Sequence, residues 1–202
     1  MHDPIWARAF VVEANGTALA NVVLDLVGIA NGAIYEIMDG VVEATGGAIH
    51  RDAILVASTH THAAPDLQGL WGGSSAEYRQ YVIDHTVAAI VEAYQTRKPS
   101  RIYLSNGTAQ GNNRRGHGYT DEEVTVLDIV DNDTNRRAGT VVNFAVRRAD
   151  RSSGDCKRRL TGSGGGRRVW TTARCTWQAH PGMPECLHVV YLRHSLRVLT
   201  PA

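Results

Sequence analysis

The chain has 202 residues, a formal net charge of +1, 43% hydrophobic residues and 20% charged ones. It contains no apolar run near the roughly 18 residues of a membrane-spanning helix, which argues against a membrane-spanning protein. Length and composition point instead to one globular domain, at most two, with enough apolar mass for a sizeable core. The small net charge hides a division. Residues 1–146 carry 10 Lys/Arg against 17 Asp/Glu, whereas residues 147–202 carry 11 against 3. Cys156, Cys175 and Cys186 all fall in the basic segment, and their odd number and irregular spacing read as unpaired thiols rather than a disulfide framework. Met1 to Trp6 shows no basic region, apolar stretch and cleavage site, so no secretory signal is read and localisation stays open.

In chain order, Ala9–Glu13, a turn at Asn15-Gly16, and Ala18–Leu26 read as a hairpin of two strands, with the turn type open. Gly32 to Gly46 carries Ile34, Ile37, Met38, Val41 and Val42 at helical period, and Gly46-Gly47 is its stop. Ala53–Ala57 is a short apolar run of the buried-strand type. Ser74 can cap a second helix, with Glu77 three residues on. Its face continues through Tyr78, Tyr81, Val82, Val87, Ile90, Val91 and Tyr94 as far as Lys98-Pro99. Arg101–Leu104, Val124–Val130 and Thr140–Val146 are further strands, the last two joined by the turn-rich Asp131–Asn135. This order predicts an α/β domain over residues 1–146, with a mixed sheet and flanking helices. After Val146 neither period is sustained. Residues 147–202 read as an irregular or disordered basic tail in which only Leu187–Leu199 can form a short strand or helix.

The chemistry-bearing segment is Ala57-Ser58-Thr59-His60-Thr61-His62-Ala63-Ala64-Pro65, just past the apolar run. In an extended chain the two imidazoles point to opposite sides, one toward a metal and the other toward substrate. If the backbone bends, both can bind. Neutral imidazole is a favoured zinc ligand, and a catalytic zinc site needs about three protein ligands and an open position for water. Taken alone, His-x-His is also what a pair of surface or hydrogen-bonded histidines looks like. Gly72-Gly73-Ser74-Ser75 can offer a helix N-terminus to an anion, but no Gly-Lys-Ser/Thr follows, so it is not a phosphate-binding loop. The surplus charge of the tail, with Trp177, can track a phosphate backbone, yet no nucleic-acid-binding motif accompanies it and a nucleic-acid partner is disfavoured. A zinc site from the three cysteines with His180, His188 or His194 lacks any C-x-x-C pair and is weaker still.

Thr59-His60-Thr61-His62-Ala63-Ala64-Pro65-Asp66, followed by Gly69-Leu70-Trp71-Gly72-Gly73, resembles the first metal-binding segment of the neutral/alkaline non-lysosomal ceramidases, especially their bacterial members. Ala7-Arg8-Ala9 with Leu24-Asp25-Leu26 resembles the family's first hairpin. Asn113-Arg114-Arg115 resembles its Asn-Arg segment, and Val142–Val146 the strand leading to its second metal histidine. The resemblance covers residues 4–146 and implies part of the catalytic domain of a zinc-dependent hydrolase of N-acyl amide lipids such as ceramide. It implies that His60 is a zinc ligand, that His62 faces the reacting amide, and that Arg114 lies near the substrate's polar head, where a planar, permanently charged donor suits oxygen ligands. Asp25 is a candidate carboxylate to orient His60, with a strand-end cap as the equal alternative.

The pattern then breaks. Where the family continues with His-Pro, this chain has Arg147-Arg148, and a guanidinium has no lone pair to offer a metal. No Gly-Asp-x-Ser-Pro segment supplies the family's nucleophilic serine, and its later glutamate and tyrosine ligands have no counterpart. The chain therefore reads as a truncated relative, with little or no activity expected. One expectation accounts for both the lost motif and the change in composition: a shift of reading frame near residue 147. Codons for Arg158–Gly162, read one nucleotide later, are compatible with the family's Ala-Asp-Leu-Pro-Gly segment. The competing reading is a non-catalytic binding protein whose basic tail meets nucleic acid or another anionic partner.

Overall fold

The computed structural model describes residues 5–109 and 121–144, and the backbone of 169–170 and 195–198. The chain divides into two compact units, residues 1–98 with 188–202, and residues 99–187. Each holds a four-stranded sheet of mixed direction, so the α/β class stands, with two mixed sheets in place of one.

In the first unit, β1 (Ile5–Ala14) and β2 (Thr17–Leu24) form an antiparallel hairpin in register Ala14↔Thr17 to Ala7↔Leu24. The two residues between them, Asn15 at φ +51° and Gly16 at φ +75°, are both left-handed. That defines a type I′ turn, whose twist matches that of the strands it joins. α1 (Asn31–Ala44) then crosses over to β3 (Ile54–Ser58), which pairs parallel to β2, because parallel neighbours need such a crossover. α1 ends as the two glycines predict. Gly46 N–H bonds Glu43 and Gly47 N–H bonds Val42, at φ +60° and +80°, the paired bonds of a Schellman motif. α2 (Ala76–Gln95) is capped one residue later than the sequence suggests: the Tyr78 N–H donates to Ser75 Oγ at 3.2 Å. The edge opposite β3 is taken by β8 (Ser195–Val198), antiparallel to β1, which lies inside the segment Leu187–Leu199.

Both helices cover one face of this sheet. Ala7, Ala9, Val11, Ala20, Val22 and Leu24 pack there with Ile37 and Val41 of α1 and with Tyr78, Val82 and Ile90 of α2. Period 2 on the strands and period 3.6 on the helices meet in that single core. The Ala53–Ala57 run departs from expectation. β3 is an edge strand, with Ile54 buried and Leu55 57% exposed, because an apolar run reads the same whether one or both faces are covered.

The second unit is a meander of β4 (Ser100–Thr108), β5 (Glu123–Asp131) and β6 (Arg137–Phe144), each antiparallel to the next, with β7 (Val169–Trp170) parallel to β6. The Asp131–Asn135 turn closes as an Asx turn, Asp131 Oδ1 accepting the N–H groups of Asp133 at 2.8 Å and Thr134 at 2.9 Å. Val146 and most of the basic tail lie outside the described residues. No helix among the described residues is long and apolar enough to cross a membrane.

Candidate functional site

The histidine segment leaves the sheet where parallel strands β2 and β3 end together, Leu24 opposite Ser58. The pairing runs one step further, from Thr59 N–H to the Leu24 carbonyl at 2.9 Å. At the next residue the chain turns. His60 has φ +56°, a left-handed conformation that is uncommon for any residue but glycine and marks a position determined by its surroundings. The crevice beyond the carboxyl ends of parallel strands is where open α/β sheets bind ligands.

What holds His60 is the Val27 carbonyl, 2.6 Å from its Nδ1. A carbonyl only accepts, so Nδ1 carries a proton, and in the neutral imidazole the lone pair is then on Nε2. That is the tautomer of a metal-binding histidine whose other nitrogen is fixed by a backbone oxygen. The expected partner, Asp25, is engaged elsewhere. Its Oδ2 accepts from Arg8 Nη1 at 2.6 Å and from the Trp6 N–H at 3.3 Å, while its own N–H donates to the Trp6 carbonyl. Asp25 thus closes the open end of the hairpin, as a strand-end cap, and the Nδ1 partner of His60 comes from the backbone two residues on.

The turn at His60 also settles the choice between extended and bent. The His60 and His62 rings lie edge to face with centroids 5.1 Å apart, and His62 is 5.1 Å from the Trp71 ring. Trp71 is held by a loop wound around one carboxylate. Asp66, almost fully buried, accepts N–H bonds from Gln68 at 2.8 Å and Gly69 at 3.2 Å on Oδ1, and from Trp71 at 2.7 Å on Oδ2. The Trp71 amide foremost, with those of Gln68, Gly69 and Leu70, holds its carboxyl below the ordinary 3.8. The same loop is tied to the one after β2. Leu67 bridges Ile29, the Ala30 N–H donates to the Leu67 carbonyl at 3.1 Å, and the Gln68 side chain lies where a Cβ on Gly28 would be, 1.7 Å from its Nε2.

His60, His62 and Trp71 are therefore brought together, and Asp25 stands with Arg8. Arg114 lies outside the described residues. Sequence reasoning missed the Val27 carbonyl, for which no side chain gives a signal, and the organising role of Asp66, for which the signal was an Asp three residues before a Gly. His60 fits a metal ligand through Nε2. Among the described residues no group of three or more His, Cys, Asp or Glu converges to complete a site.

The chain is similar in fold to solved ceramidase structures. One, described as a ceramidase complexed with C2, shares 27% identity at a TM-score of 0.62 over 71% of this chain and 26% of the other. The other, neutral ceramidase from Pseudomonas aeruginosa, shares 26% identity at a TM-score of 0.63 over 73% and 27%. The chain thus spans about a quarter of the length of either enzyme. No curated sequence matches it. The model of the neutral/alkaline non-lysosomal ceramidase N-terminal region matches residues 1–152, and with that match over most of its length the chain belongs to the neutral/alkaline non-lysosomal ceramidase family.

Proposed function

We propose that this chain carries the first metal-ligand segment of a zinc-dependent amidohydrolase that splits an N-acyl sphingoid base, or a related N-acyl amide lipid, into fatty acid and amine. The observation that carries the reading is the hydrogen bond of His60: its Nδ1–H donates to the Val27 carbonyl, which in the neutral imidazole keeps Nε2 as a ligand atom, on a ring that lies beside His62. Family membership and the ceramidase neighbours support the substrate class. In the intact enzyme His60 holds the metal, His62 makes polar or proton-transfer contact with the scissile amide, and Arg114 positions the polar end of the substrate. Bound zinc supplies polarisation of a carbonyl and a bound water with pKa lowered to about 7.

The 202-residue chain itself is little active or inactive on this reading. His60 and His62 leave zinc under-ligated against the roughly three protein ligands of catalytic sites, and Arg147-Arg148 stands where the family places its second histidine. Calorimetry with zinc is expected to show weak uptake that His60→Ala abolishes; tight binding unaffected by that change overturns the metal assignment. A fluorescent N-acyl sphingosine is expected to survive incubation with the protein and zinc. Saturable, metal-dependent cleavage overturns the inactivity while leaving the reaction class intact.

A further inference from the structure

The Asp66 loop does more than close a turn. Gly69, Gly72 and Gly73 all have positive φ, at 83°, 98° and 73°, so the segment leaves the regular ladder and its N–H groups are open to other acceptors. Asp66 provides two oxygens for three of them. Trp71, in contrast, is 62% exposed, so packing alone restrains it little. The short bond at its own N–H, 2.7 Å to Asp66 Oδ2, fixes the backbone from which the indole reaches His62.

We propose that Asp66 is a positioning residue: by holding the Trp71 N–H it sets the indole against His62 and so restricts that imidazole beside His60. The proposal rests on the hydrolase reading only for what His62 would act upon; the contacts that define it are independent of the reaction. An ionised carboxylate suits this task because charge-assisted bonds are roughly twice as strong as neutral ones. Asparagine keeps the shape but presents one acceptor oxygen, so either the Trp71 N–H or the Gln68–Gly69 pair loses its partner.

The test is the rate at which diethyl pyrocarbonate modifies His62 in the full, zinc-free chain, read by peptide mass spectrometry. His85, whose Nδ1 lies 2.8 Å from the Tyr81 carbonyl on α2, serves as internal standard. Asp66→Asn and Trp71→Ala are each expected to speed modification of His62 by a similar factor without changing His85. The double variant is expected to show no further gain, as coupled residues acting through one path do. An unchanged His62 rate in Asp66→Asn, or additive effects in the double variant, overturns the proposal. Should Asp66→Asn unfold, with His85 accelerating as well, hydrogen exchange in the unaltered protein decides. The Trp71 amide is expected to exchange more slowly than that of Gly72, and equal rates overturn the proposal. Tight zinc binding that His60→Ala leaves unchanged overturns the metal assignment and leaves these outcomes untouched.

Discussion

His60 occupies a backbone conformation that costs a side-chain-bearing residue about 1–2 kcal/mol, at φ +56°. Its bond to Val27 offsets that strain. Removing the imidazole should therefore expose the strain, and by different amounts for different replacements. His60→Gly is expected to be more stable than His60→Ala by about 1 kcal/mol, since glycine accepts a positive φ freely, as read by urea unfolding. Equal stabilities would mean that the segment relaxes and that His60 is not held in place. The His-x-His spacing was legible in the sequence. The bend was not, because its partner lies 33 residues away and is a backbone atom common to every residue type. Asp25 shows the converse: a conspicuous carboxylate near the site is drawn off by Arg8, on the neighbouring strand.

At the scale of elements, the local signals were read well where the chain needs special backbone. Asn15-Gly16 and Gly46-Gly47 mark a type I′ turn and a helix stop because all four residues sit at positive φ. Gly47→Ala meets open space in the folded chain, so its expected cost of about 1 kcal/mol is purely conformational. Ser75→Ala should cost about 1 kcal/mol through the lost cap, whereas Ser74→Ala should cost little. Thermal unfolding of the three variants separates these outcomes. A Ser74→Ala loss equal to that of Ser75→Ala would move the cap back to the sequence-based assignment. The two serines are adjacent and chemically identical, so only the entry angle of the chain into α2 chose between them.

Over the whole molecule, the first unit's sheet keeps one face under α1 and α2, while on the other Leu19 is 49% and Leu55 57% exposed. Asn21, the partner of Leu55 on β2, lies two residues beyond Leu19 on the same face. Among the described residues β3 is also an edge strand, and exposed apolar edges template association. The protein is expected to self-associate in light scattering coupled to size exclusion, and Leu19→Lys with Leu55→Lys is expected to shift it toward monomer. A monomeric parent at high concentration would contradict this.

The sequence by itself determined the periodic elements, the hairpin and helix-stop chemistry, the α/β class and the ceramidase resemblance later matched over residues 1–152. Each of these depends on neighbours within a few residues, or on a motif whose side chains are all visible in the order they are written. Tertiary structure decided that β3 is an edge strand, that the strands divide between two sheets, that His60 and His62 face one another, and that Val27 rather than Asp25 meets His60. Those outcomes depend on which backbone atoms arrive together at the ends of β2 and β3, a matter of strand pairing that no local period encodes.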